Sequence, residues 1–104
     1  MDEIVVFITT PSTEEGEKIG RYLVENKLAA CANILPSVTS IFAWEGKISQ
    51  EKEALIILKS KQGLFERLMQ EVKKRHSYSV PEIIALPLAA GSPEYIKWIQ
   101  KNTL

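Results

Sequence analysis

Two side chains with ligand or nucleophile chemistry occur once each in the 104 residues, Cys31 and His76. A thiolate is a soft ligand suited to copper, and imidazole binds the same metal well. Cys31 stands between Ala30 and Ala32 in a run of small residues. It reads either as a small buried core residue, as free cysteines commonly are, or as a copper ligand. His76 follows Lys73-Lys74-Arg75. It reads either as a polar anchor for the loop after a helix or as a metal contact. One thiolate and one imidazole do not fill a tetrahedral site. Carboxylates such as Glu82, or ligands from a second subunit, must complete it.

Other chemistry finds less support. A Cys31–His76 nucleophile pair lacks any local feature that would activate the thiol. Thr9-Thr10-Pro11-Ser12 marks a helix N-terminus, a generic anion site, but ordinary capping accounts for the residues without an anion. No phosphate-cradling loop, dinucleotide fingerprint or zinc-protease motif occurs. The expectation is a binding protein, not an enzyme.

The elements that position these residues follow from the pattern. Ile4 to Thr9 is a β-branched run and predicts a buried strand. Ser12-Thr13-Glu14-Glu15 reads as a capping box with Ser12 as N-cap. The helix it opens carries Ile19, Tyr22 and Leu23 inward, with Gly16 and Gly20 allowing close approach to a sheet, and stops at Asn26-Lys27. Leu28 to Leu35 predicts a second strand, kinked or bulged at Pro36-Ser37, that resumes from Val38 to Trp44. Glu45-Gly46 predicts a two-residue turn and Ile48 to Lys59 the returning strand. Ser60 is the expected cap of a second helix, whose stripe is Leu64, Phe65, Leu68, Met69 and Val72. Ile83 to Leu88 predicts a fourth strand, with Pro87 at an edge or bulge. Ser92-Pro93 opens a last helix with Tyr95, Trp98 and Ile99 as its inner face. The order is βαββαβ plus a terminal helix, the α+β, ferredoxin-like pattern, in one domain spanning 1–104.

The hairpin is long for this frame. Its returning strand of about a dozen residues reaches about 40 Å, roughly twice the first strand. A two-residue turn sets Trp44 opposite Lys47, Phe42 opposite Ser49, Ser40 opposite Glu51 and Val38 opposite Glu53. Two large aromatics on a projecting ribbon are a liability in water and predict docking against another subunit.

Bulk composition excludes several classes. Thirteen basic residues balance thirteen acidic ones, so the basic excess of a general nucleic-acid binder is missing. No apolar run reaches the ~20 residues that span a bilayer. A lone cysteine and an acidic N-terminus without a secretory pattern predict a cytoplasmic protein.

Four segments together resemble the CutA divalent-cation tolerance family: Ala29-Ala30-Cys31-Ala32-Asn33-Ile34-Leu35-Pro36; Trp44-Glu45-Gly46-Lys47 with Glu53 and Lys59 following; His76-Ser77-Tyr78-Ser79-Val80-Pro81-Glu82; and Tyr95-Ile96-Lys97-Trp98. The resemblance runs over essentially the whole chain. It implies a ferredoxin-like homotrimer with hairpins packed across subunits, architecturally similar to PII signal proteins. It implies a part in tolerance of copper and other divalent metals, with copper or another divalent cation bound, no organic cofactor, and no firmly attached enzymatic activity. Where some relatives carry a further cysteine and a further histidine, this chain has Ile8 and Arg75. The metal ligands expected are then His76, Cys31 and Glu82. Asn33, Trp44, Lys47, Glu53, Lys59 and Tyr78 are expected to line an intersubunit cleft. There Glu53, Lys59 and Glu82 form either a structural ion-pair network or a polar pocket. The rival function is a signalling or scaffold module binding a small ligand or a protein in the same clefts.

Overall fold

A computed structural model describes residues 2–104. Strand β1 (Glu3–Thr10) leads to helix α1 (Thr13–Glu25), then to the hairpin β2 (Cys31–Trp44) and β3 (Lys47–Lys61). A 3-10 turn over Gln62–Leu64 enters helix α2 (Phe65–Arg75), followed by β4 (Ile83–Pro87) and α3 (Pro93–Lys101). The four strands form one antiparallel sheet in the order β2-β3-β1-β4. This is the ferredoxin-like arrangement that the alternation of apolar runs predicts.

The period-two pattern of β1 and β3 divides the sheet into two faces. Ile4, Val6, Ile8, Ile56 and Leu58 turn to one face and pack with Ile19 and Leu23 of α1 and Leu68 and Val72 of α2. The helices approach closely because α1 is glycine-notched. A Cβ on Gly20 would stand 3.0 Å from the Ala32 Cβ. The opposite face carries Val5, Phe7, Leu55 and Ile57, half-buried, and Leu35, Ile84 and Leu86, exposed. Only α3 covers part of it, seating Ile99.

Beyond Ala54 the hairpin outruns its neighbour. β1 pairs with Ala54–Lys61, whereas Lys47–Glu53 pair with β2 alone. Those seven residues make a two-stranded ribbon about 23 Å long. The long axis of the molecule, 44 Å against 25 and 23 Å, reflects it. Glu45 and Gly46 have φ of 50° and 77°, both in the left-handed region, as a type I′ turn requires. The predicted pairs all form, and the register shifts between Leu35 and Val38, around Pro36.

Four local expectations need correction. Ser60 does not cap a helix. It lies within β3, fully buried, and its Oγ donates to the Leu28 carbonyl at 2.6 Å, while α2 has no side-chain cap. The capping box is half made. Ser12 Oγ accepts from the Glu15 N–H, but the Glu15 carboxylate turns away to the loop after α2. Tyr95 and Trp98 are not an inner face. Each is 41 % exposed, and they stack on one another with centroids 5.4 Å apart, leaving Ile99 as the buried residue of α3. β2 begins at Cys31 instead of Leu28, because Leu28 and Ala29 close α1 by donating to the Leu23 carbonyl.

Candidate functional site

Chemistry gathers at the two ends of the half-covered sheet face. At the end from which the ribbon projects, Glu53 is 7 % exposed on β3. The Tyr78 hydroxyl donates to its Oε2 at 2.7 Å. Burial, together with that carboxylate, pushes the Tyr78 phenol up to about 12, so it stays a donor at neutral pH. Glu82 enters β4 alongside and accepts weakly from the Thr9 hydroxyl at 3.5 Å. Between this loop and the ribbon runs an open groove of about 870 Å³. Phe42, Trp44, Glu51, Glu53, Tyr78 and Glu82 line it, and among the described residues no lysine or arginine does.

His76 holds the loop that forms one bank. Its side chain is fully buried. The Tyr78 N–H donates to Nδ1 at 3.0 Å, so Nε2 carries the proton and donates to the Thr9 carbonyl at 2.7 Å. Glu15 completes the anchorage by accepting from the Ser77 N–H and hydroxyl at 2.9 and 3.0 Å. Both ring nitrogens are therefore spent on the backbone. Of the two roles open to His76, the observed geometry is that of the loop anchor. Coordination of a metal would cost one of these bonds.

Cys31, Asn33 and Lys59 mark the other end. Cys31 and Lys59 are directly cross-strand, and the Lys59 ammonium donates to Asn33 Oδ1. The Cys31 thiol is half-buried, not sealed in the core, and lies 3.5 Å from the Tyr95 hydroxyl. That contact, with burial, pushes the Tyr95 phenol up to about 12.

Lys59 stands six residue steps beyond Glu53 on β3, or about 20 Å. The fold thus joins Glu53, Tyr78 and Glu82 at one end and Cys31, Asn33 and Lys59 at the other. Within one chain Glu82 does not meet Lys59, and His76, Cys31 and Glu82 do not converge. Among the described residues no three of His, Cys, Asp and Glu are placed to hold a metal ion. Trp44 and Lys47 form the last pair at the ribbon tip. Sequence reasoning missed Glu51 in the groove wall and Glu15 under the loop. Glu51 was legible as the partner of Ser40, two residues from Glu53 on the same strand face.

Comparison with known proteins decides the family. Residues 4–102 match the family described as CutA1 divalent ion tolerance protein. The chain belongs to the CutA1 family. It is 46 % identical over 101 residues to the divalent-cation tolerance protein CutA of Thermus thermophilus, covering 97 % of this chain and 98 % of that one. The Thermus structure superposes with a TM-score of 0.96 over 98 % of this chain and 99 % of that one. A chloroplastic CutA of Arabidopsis thaliana is 45 % identical over 100 residues, 96 % of this chain. The chain spans about half the length of that plant relative, 55 %. An Archaeoglobus fulgidus structure, TM-score 0.93 at 42 % identity over 96 % of this chain and 97 % of that one, is described as a periplasmic divalent cation tolerance protein CutA. The CutA1 frame thus accounts for the whole βαββαβ order and for the long hairpin.

Proposed function

We propose that this chain acts in divalent-metal tolerance as a homotrimer, binding copper or a similar divalent cation where subunits meet. The observation that carries this reading is the separation of the donors. Cys31 stands at one end of a sheet face and Glu82 at the other, and no metal-sized cluster forms among the described residues of one chain. A head-to-tail arrangement of copies joins what one chain keeps apart. Such heterologous contacts close into a ring when the rotation between copies closes. The sheet has two unpaired edges, β2 and β4, for that pairing. Its apolar middle, with Leu35, Ile84 and Leu86 exposed, supplies area to bury. Lys59 at one end and the carboxylates at the other supply charge complementarity.

In the assembled cleft, Cys31, Asn33 and Lys59 of one subunit stand beside Glu53, Tyr78 and Glu82 of its neighbour, with Trp44 and Lys47 of the ribbon tip as a wall. Cys31 supplies the soft ligand and Glu82 a carboxylate. His76 serves by holding the loop. The protein is cytoplasmic and not an enzyme in this reading. Calorimetric titration with copper and zinc tests it. The native chain binds more tightly than about millimolar, and Cys31→Ser or Glu82→Gln weakens binding about tenfold or more. Affinity no tighter than millimolar in the native chain contradicts the metal site.

A second reading, a signalling module with a small-molecule ligand, is favoured by the width of the groove and its aromatic wall. Saturable nucleotide binding in the same calorimeter, with no metal response, would support it over the first.

A further inference from the structure

Cys31 carries the one thiol of the chain, and among the described residues a single polar side chain reaches its sulfur. The Tyr95 hydroxyl stands 3.5 Å from Sγ, joining α3 to the start of β2 across 64 residues of sequence. The ring behind that hydroxyl is held in place. It stacks on Trp98, one turn further along α3, with planes 26° apart. The helix itself is fixed at its start by the Ser92 cap, whose Oγ accepts from the Tyr95 N–H, and toward its end by the buried Ile99. Tyr95 and Trp98 therefore do not seat α3 on the sheet. What Tyr95 meets is the sulfur.

A cation stands close to the same sulfur and is turned away from it. Lys59 is directly cross-strand from Cys31, yet its ammonium donates to Asn33 Oδ1. An ammonium held on the thiolate would compete with a metal ion for its charge. The phenol does not, because it is neutral at neutral pH. A thiolate has no hydrogen to give, so in the metal-binding form the phenol is the donor. These contacts lie within one chain and do not depend on what a neighbouring copy brings to the cleft.

We propose that Tyr95 is the positioning residue of the metal site: its hydroxyl donates to the Cys31 thiolate, holds the sulfur in one rotamer, and stays on it when a soft cation binds. The role rests on the reading of Cys31 as the soft ligand and deepens it. Hydrogen bonds from outside the ligand set orient a ligand and tune its donation to the metal. This one draws electron density from the sulfur, so sulfur-to-copper charge transfer needs more energy than it would from a bare thiolate.

Two spectra of the full chain test this, one without metal and one with copper(II). Cys31 gives the only S–H stretch in the Raman spectrum. In the metal-free native chain that band is expected away from the free-thiol position, and Tyr95→Phe, which keeps the ring on Trp98, returns it there. With copper, Tyr95→Phe is expected to move the sulfur-to-metal charge-transfer band to longer wavelength and to weaken binding about tenfold. Trp98→Leu keeps the hydroxyl but frees the ring. It shifts both bands the same way by less, and serves if Tyr95→Phe does not fold. An S–H band indifferent to both variants, or a charge-transfer band and copper affinity indifferent to both, would overturn the proposal. Failure of the metal reading shows differently: the native chain then has no charge-transfer band at all, and the role of Tyr95 falls with it.

Discussion

The Tyr78 hydroxyl and Glu53 Oε2, 2.7 Å apart, tie the loop after α2 to the base of the projecting ribbon. This one bond joins segments 25 residues apart and sets the width of the groove between them. Tyr78→Phe leaves a nearly buried carboxylate without its donor. It is expected to cost about 1–3 kcal/mol in denaturant unfolding. The pH dependence has a definite sign. The folded pKa of Tyr78 is raised from 10 to about 12, so its contribution is complete below pH 10 and lost as pH rises through 12. In Tyr78→Phe the alkaline limb of the stability profile flattens in that window. An absorbance titration should show one late phenol near pH 12, Tyr95, in place of two.

The anchoring role of His76 makes a prediction that a free metal ligand would not. Nδ1 accepts from the Tyr78 amide, so the neutral ring is the Nε2–H tautomer. Nitrogen chemical shifts of the ring should report Nε2 protonated and Nδ1 bare. Adding copper to the native chain should leave that pattern in place. His76→Ala removes two hydrogen bonds and opens a small cavity, at a cost of about 2–4 kcal/mol. A bare Nε2 would contradict the assignment.

Glu71 organises the exposed side of α2. Its carboxylate accepts from Lys74 at 3.0 Å, the Tyr22 hydroxyl at 3.0 Å and Arg75 at 2.9 Å, and the Arg75 guanidinium lies over the Tyr22 ring. Lys74 first, then Tyr22, hold its pKa down from 4.5 to about 2. A depressed pKa gives stability that is present above pH 4.5 and lost as pH falls through 2. Glu71→Gln should therefore be less stable than the native chain at pH 6, with the difference vanishing below pH 2. A constant difference at all pH values would mean that charge is not the cause.

Gly20 sits where α1 crosses β2. Gly20→Ala gains about 1 kcal/mol of helix propensity. Against this, its Cβ would stand 3.0 Å from the Ala32 Cβ and 3.3 Å from Ile34 Cδ1. Overpacking of this kind costs about 1–3 kcal/mol, so the net change is expected to be destabilising. Gly63→Ala, with no atom near the added Cβ and no positive φ, should be neutral or slightly stabilising. Thermal melts of the two variants check the pair.

The frame was legible in the sequence because several local signals agree. The β-branched run of β1, the Glu45-Gly46 turn and the 3.6-residue stripe of α2 each point to the element that forms. The turn even fixed the cross-strand partners as far as Val38 and Glu53. What misled was local chemistry that tertiary contacts outweigh. Ser60 has a capping side chain, yet β3 runs on because β1 offers a ladder partner as far as Lys61. Glu15 stands at the capping-box position, yet Ser77, 62 residues away, offers its carboxylate two donors. Tyr95 and Trp98 look like a buried face, yet their outer sides find no cover among the described residues. The candidate site was legible as a set of residues but not as two groups. Strand alternation says which side a residue faces, not how far along β3 Lys59 stands from Glu53.

The central claim is that Cys31 of one copy and Glu82 of the next complete a single metal site. Assembly from a mixture of Cys31→Ser and Glu82→Gln chains tests it most directly. Neither variant alone should bind copper tightly. Refolded together in equal amounts, they should recover about a quarter of the native sites, since that share of head-to-tail junctions pairs an intact Cys31 with an intact Glu82. No recovery, with the native chain binding copper fully, would place both ligands in one chain and contradict the account.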